Sequence, residues 1–176
     1  MDNLTRSRSI SLMRMPTSPF PLPALAKAAA YRQLNEPSEA ESLCLEVLET
    51  EPDNQAALGL LILALTDPPG GGTAARLREA QALVPRLRSP YRRAYYSGII
   101  AERQAKARLA QDSPGARATA YEAFCEAMTW YDQAATLGPP DADEDDVRLR
   151  RTTCARLVRR HELGPRVEEQ VTWSLE

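Results

Sequence analysis

The chain has 176 residues, a formal net charge of −2 and 26% charged residues, which fits one globular domain. This charge gives no overall attraction to nucleic acid or anionic membranes, and no apolar run reaches the roughly 18 residues of a membrane span. Three widely spaced cysteines without a C-x-x-C pair disfavour a disulfide framework or a zinc site. We expect a cytoplasmic, reduced protein whose thiols are small core side chains.

The first 20 residues contain three arginines and no sustained apolar core. This composition predicts a disordered N-terminal tail over residues 1–20 rather than a secretory signal. We expect the helical domain to occupy residues 21–164. Residues 165–176 are expected to form a C-terminal tail or a short capping helix.

Within the domain, turn residues alternate with apolar stretches of i, i+3, i+4 spacing, which predicts seven helices. They are expected at about residues 23–34, 37–51, 55–66, 73–88, 90–110, 116–137 and 143–162. Asn35, Asn54 and Ser89 are candidate helix caps, and Pro85 is expected to shorten or kink the fourth helix. The third helix is apolar nearly all round, so Gly59 within it predicts a closely packed neighbour.

Helix pairs of this length cannot bury their own apolar faces, which favours a stack of such pairs. Small and large residues recur at one spacing, as Ala40-x3-Cys44-x2-Val47-x4-Pro52 and as Ala127-x3-Tyr131-x2-Ala134-x4-Pro139. With Tyr31 nine residues before Ala40, this pattern resembles the tetratricopeptide repeat (TPR), a 34-residue helix pair.

The resemblance covers roughly residues 21–139 and implies an all-α fold, an α-solenoid of antiparallel helix pairs. Its middle unit departs from the pattern, because Glu79 occupies the large position and Pro85 comes early. The fifth and sixth helices are also longer than those of the family. We therefore expect a TPR-like repeat with one irregular, elongated pair.

Charge is arranged in blocks along the chain. Residues 36–67 contain eight acids and no base, whereas residues 76–117 contain ten bases and three acids. A second basic set lies within residues 148–160. Blocks of opposite sign can face each other between helices, or the basic block can line a groove for a partner that carries carboxylates or phosphates.

The resemblance places the first helix of each pair on the concave face, which puts the segment 91–106 there. Tyrosine and arginine are enriched at binding hot spots. The candidate partner-binding residues are Arg92, Tyr95, Tyr96, Arg103 and Lys106. Alternatively, Tyr95 and Ile99 at i, i+4 are ordinary core residues.

These features favour a non-catalytic scaffold or adaptor that binds a partner protein or peptide, rather than an enzyme. His161 is the only histidine, so no metal site and no cofactor are expected. The alternative is a helical module that binds RNA or phosphate in a basic groove, although the sequence disfavours nucleic acid as a partner. Self-association into a homo-oligomer through an exposed terminal helix is a third expectation, and a membrane partner is not expected.

Overall fold

The computed structural model describes residues 21–67, 74–111, 113–138 and 144–166. Within these ranges the chain forms seven α-helices and no strand, so the predicted all-α class is confirmed. The helices are α1 Pro21–Gln33, α2 Pro37–Thr50, α3 Gln55–Thr66, α4 Ala74–Leu83, α5 Pro90–Leu109, α6 Ala116–Leu137 and α7 Glu144–Arg160. The predicted tail at residues 1–20 and most of the predicted C-terminal segment, residues 167–176, lie outside the described residues.

Side-chain caps mark the starts of α3 and α5. The Asn54 side chain accepts hydrogen bonds from the backbone N–H of Ala56 (3.1 Å) and Ala57 (2.9 Å), and Ser89 accepts one from the N–H of Arg92 (3.3 Å). Each bond satisfies a donor that has no partner within its helix.

The cap that the sequence suggested at Asn35 is not formed. Asn35 has φ +61°, and Glu36 occupies the capping position of α2 without a side-chain bond. The N–H of Glu36 instead donates to the carbonyl of Tyr31 (2.9 Å), which closes the end of α1. Asparagine tolerates this left-handed conformation, so Asn35 ends one helix rather than starting the next.

Each helix packs against the next along the chain, and α3 also contacts both α1 and α5. α1, α3 and α5 begin at Pro21, Gln55 and Pro90, so their starts are 34 and 35 residues apart. α7 begins at Glu144, 54 residues after α5. The wider spacing reflects the lengths of α5 and α6, 20 and 22 residues, and confirms that these two helices are elongated.

Two large apolar clusters lie along this row of helices. The N-terminal core contains mainly leucine and isoleucine side chains of α3 with their neighbours from α1, α2 and α4. The C-terminal core is built mainly from alanines of α5 and α6, with the large side chains Phe124 and Tyr131. Tyr96 on α5 packs against both clusters.

The prediction that the cysteines are core residues is confirmed for two of the three. Cys44 and Cys154 are fully buried, and Cys125 is half-buried. Burial raises the pKa of Cys44 to about 11 and that of Cys154 to about 12. Both buried thiols are therefore protonated and unreactive at neutral pH.

None of the described helices combines the length and the apolar character that crossing a lipid bilayer requires.

Candidate functional site

The five predicted partner-binding residues all lie on α5, but their environments differ. Arg103 and Lys106 form ion pairs within the chain, with Asp67 (3.1 Å) and Glu102 (2.5 Å) respectively. Arg92 and Tyr96 are half-buried on the side of α5 that faces α1 and α3. Tyr95 faces α7. By helical geometry, at about 100° per residue, the five positions fall within roughly one 100° sector of α5, but Arg103 and Lys106 are already engaged in ion pairs within the chain.

Asp67, the residue that follows α3, joins three helices. Its carboxylate accepts hydrogen bonds from the guanidinium groups of Arg32 on α1 (2.6 and 2.8 Å) and Arg103 on α5 (3.1 Å). Charge-assisted bonds of this kind fix geometry as well as adding energy. Arg103 thus contributes to holding α1, α3 and α5 side by side.

Tyr96 lies where α5 crosses α3. A Cβ atom built on Gly59 would be 2.5 Å from the Tyr96 hydroxyl oxygen, so only glycine allows this approach. This confirms the close neighbour that Gly59 predicts. Burial raises the pKa of Tyr96, and the charges of Arg92 and Arg32 partly offset that effect.

Glu102 is the central buried charge of the C-terminal half, with only 3% of its surface exposed. Its carboxylate accepts hydrogen bonds from Lys106 Nζ (2.5 Å), Tyr131 Oη (2.6 Å) and Arg150 Nη1 (3.4 Å). The three donors come from α5, α6 and α7. A buried carboxylate is tolerated only when it is paired and hydrogen-bonded in this way.

The pKa values of this cluster follow from its hydrogen bonds. Burial by itself would raise the pKa of Glu102, but the hydrogen bonds from Lys106 and Tyr131 outweigh it, and the pKa is lowered. Burial and the Glu102 charge raise the pKa of Tyr131. Glu102 is therefore a carboxylate at neutral pH, and Tyr131 remains a hydroxyl donor.

A second polar contact links α5 to the start of α7. The Asp146 carboxylate accepts hydrogen bonds from Tyr95 Oη (2.5 Å) and from Arg150 Nε (2.8 Å). The Arg150 guanidinium lies over the Tyr95 ring, 5.9 Å from its centroid. The Tyr91 ring stacks on the Tyr95 ring, with centroids 5.9 Å apart. Arg150 thus connects the two acids, Glu102 and Asp146, and fixes the Tyr95 ring.

An open cleft of about 760 Å³ lies between α5 and α7, which we call the α5–α7 cleft. It is lined by Tyr95, Asp146, Arg148, Leu149, Arg150, Thr152 and Arg156. Leu149 is 59% exposed, and Arg148 and Arg156 are exposed without a hydrogen bond or ion pair among the described residues. The cleft therefore presents an apolar side chain between two available cations.

Among the residues that line this cleft, Tyr95 is one of the candidates predicted from the sequence, whereas Asp146 and Arg150 are not. The buried Glu102 was also not among the predicted candidates. A signal for Glu102 was present. It is the only acid in the buried stripe that contains Gly98, Ile99 and Ala105. An acid in an apolar helical stripe requires basic partners from other helices.

Comparison of the chain with protein-family models, with curated proteins and with solved structures finds no match in any of the three.

Proposed function

We propose that this chain is a non-catalytic, TPR-like helical repeat protein that binds an acidic segment of a partner protein in the α5–α7 cleft. The observation that carries the proposal is the exposed Leu149 flanked by Arg148 and Arg156, beside a tyrosine whose ring is held in place. Apolar and aromatic anchors next to arginines are the usual composition of a binding hot spot.

The repeat architecture is supported by the spacing of polar contacts between helices. Arg32 pairs with Asp67 and Glu41 with Arg76, both 35 residues apart, and Asp67 pairs with Arg103, 36 residues apart. Stacked helix pairs of nearly equal length place equivalent positions next to each other, so contacts recur at about the 34-residue repeat of the TPR family.

A concave face formed by α1, α3, α5 and α7 follows from this architecture. Along that face, the carboxylate of Asp67 forms ion pairs with Arg32 and Arg103, so these two cations already have an acidic partner. In the α5–α7 cleft this face offers two exposed cations, Arg148 and Arg156, that have no acidic partner among the described residues.

The charges also bear on the alternative of a basic groove for RNA or phosphate. Most bases of the block at residues 76–117 are engaged within the chain. Four form ion pairs with acids, namely Arg76, Arg88, Arg103 and Lys106. Three donate to backbone carbonyls, namely Arg86, Arg93 and Arg117. Three of the pairs join this block to the acidic block at residues 36–67. Four of the ten bases of the block are thus neutralised by acids, which leaves fewer cations for a run of phosphates than the block contains and favours a short acidic peptide.

A peptide display library selected on the immobilised protein tests the proposal. We expect wild type to enrich peptides that carry acidic residues next to a large apolar residue. The double variant R148E/R156E should lose this enrichment, because it reverses both available cations of the cleft. For a selected peptide, affinity should weaken at least about tenfold in the variant, since hydrogen bonds to charged groups contribute about 1.5–3 kcal/mol each.

The matched control is R160E/R166E, which changes the net charge equally at two exposed arginines outside the cleft. It should bind the selected peptides like wild type. Equal enrichment by wild type and R148E/R156E would refute the cleft as the binding site. Tight binding of a single-stranded RNA homopolymer, with affinity falling steeply as salt rises, would instead support the groove alternative.

A further inference from the structure

A second cleft, of about 550 Å³, lies where α4, α5 and α6 meet, and we call it the α4–α6 cleft. Its volume falls within the range of about 300–1,000 Å³ typical of small-molecule sites. The buried side chains of Leu77 on α4 and Ile100 on α5 form its apolar floor, and Ala107 adds to it.

This cleft lies on the opposite side of α5 from the α5–α7 cleft. The α5 residues that line it are Ile100, Gln104, Ala107 and Arg108, and Gln111 follows just after the helix. At about 100° per residue, the helical residues among them fall roughly 120–220° around the helix axis from Tyr95. The two clefts share no lining residue, so each can be disrupted without touching the other.

The polar side chains of the α4–α6 cleft are available to a ligand. Arg78 and Arg108 form no ion pair or hydrogen bond with any described residue, and the same is true of the amides of Gln81, Gln104 and Gln111. By contrast, the arginines that lie between helices elsewhere, such as Arg32 and Arg150, are paired.

One carboxylate, Glu126 on α6, also lines the cleft and accepts a hydrogen bond from the indole N–H of Trp130 (3.3 Å). With two cations and one acid, the lining has a net positive charge. A ligand with an anionic group complements the two arginines, and an N–H group of the same ligand can donate a hydrogen bond to Glu126.

We propose that the α4–α6 cleft binds a small peptide-like acid, that is, a ligand with a carboxylate, at least one amide and a branched apolar side chain. Arg78 and Arg108 hold the carboxylate, the glutamine amides pair with the amide groups of the ligand, and Leu77 and Ile100 receive the apolar side chain. Glutamine suits this role because its side chain both donates and accepts, as a peptide bond does. This site is independent of the partner site proposed above.

Titration calorimetry with N-acetyl-leucyl-glutamate as the probe tests the site. Two comparison probes separate its parts: N-acetyl-leucinamide lacks the carboxylates, and glutarate lacks the amide and the apolar side chain. We expect the first probe to bind wild type with a Kd of about 1 mM or tighter, and each comparison probe at least about tenfold more weakly.

The variant R78E/R108E should weaken binding of N-acetyl-leucyl-glutamate at least about tenfold, since it removes the charge-assisted bonds. Arg78 is exposed and Arg108 half-buried, so the fold is expected to survive, and circular dichroism verifies this. Q104L, which removes one amide at similar size, provides a second variant and should weaken binding severalfold.

The control R160E/R166E, which makes the same charge change elsewhere, should bind the probe like wild type. Equal affinity of wild type and R78E/R108E would overturn the proposal. So would equal affinity for all three probes, or no measurable binding of N-acetyl-leucyl-glutamate.

Discussion

The N-terminal and C-terminal halves of this chain are both stacks of helices, but they are stabilised differently. The N-terminal core is aliphatic, with Leu58, Ile62 and Leu65 fully buried, and its ion pairs lie at the edges. The C-terminal core packs alanines around Phe124 and Tyr131 and contains the buried charge of Glu102.

The difference coincides with the spacing of the helix starts. Where helix starts are 34 and 35 residues apart, apolar burial and edge ion pairs are sufficient. Where the spacing lengthens to 54 residues, α7 reaches α5 through polar side chains, and the α5–α7 cleft lies at that junction. The junction of α5, α6 and α7 is therefore the part in which a buried charge is held by polar contacts from three helices. Three predictions test this contrast.

Replacing Glu102 by alanine should have the largest effect. The substitution leaves Lys106, Arg150 and the Tyr131 hydroxyl without their shared acceptor, and removing one partner of a buried pair costs about 3–5 kcal/mol. Urea unfolding followed by circular dichroism measures this loss. E122A on the exposed surface of α6 is the matched control and should change the free energy of unfolding by about 0.5 kcal/mol or less. Similar values for the two variants would show that Glu102 is not a central contact.

Leu65→Ala should cost somewhat less, about 3 kcal/mol, from lost apolar burial and the cavity that remains in the N-terminal core. Leu45→Ala provides the comparison, since Leu45 is 46% exposed and its truncation should cost about 1 kcal/mol or less. Hydrogen exchange read by mass spectrometry adds a regional test. L65A should raise exchange most in α2 and α3, and E102A most in α6 and α7. The same exchange pattern in both variants would contradict a division into two cores.

The smallest effect is the response to acid. Because the pKa of Glu102 is lower in the folded state than its ordinary value of 4.5, its contribution to stability is present above that pH. The contribution is lost as the pH falls below that value and through the folded-state pKa, because the unfolded chain then binds the proton more readily.

Thermal unfolding at pH 6 and at successively lower pH measures this dependence. E102Q, which keeps the size of the side chain but cannot titrate, should show a shallower decline in melting temperature than wild type between about pH 5 and pH 3. L65A should decline in parallel with wild type, since no titrating group changes. Parallel curves for wild type and E102Q would exclude Glu102 as a source of acid sensitivity.

The helices themselves could be predicted well from the sequence, because their limits depend on local chemistry. Caps at Asn54 and Ser89 act on the next two or three residues, and Pro85 converts the end of α4 into a 3-10 turn, Val84–Arg86. The prediction that Asn35 caps α2 is wrong, because asparagine suits both the start of a helix and a residue with left-handed backbone conformation at the end of one.

The site could be predicted only in part. The acidic partners of Arg103 and Arg150 depend on how α5 is aligned along α3 and α7. A single sequence does not specify this alignment. The charge blocks allowed opposite signs to face each other between helices, and Arg76 with Glu41 forms such a pair. They did not indicate that Arg103 and Lys106 would be used inside the chain while Arg148 and Arg156 would line the α5–α7 cleft.

Because Tyr96 packs against both apolar clusters, α5 takes part in the packing of both halves. Complete unfolding of either half would remove part of the packing that holds this helix. The chain is therefore expected to melt in a single transition, and a fragment that stops at residue 89 should fail to fold alone. A partner bound beside Tyr95 would then stabilise the whole fold. Residues as distant as α2 would therefore be cleaved more slowly by a protease.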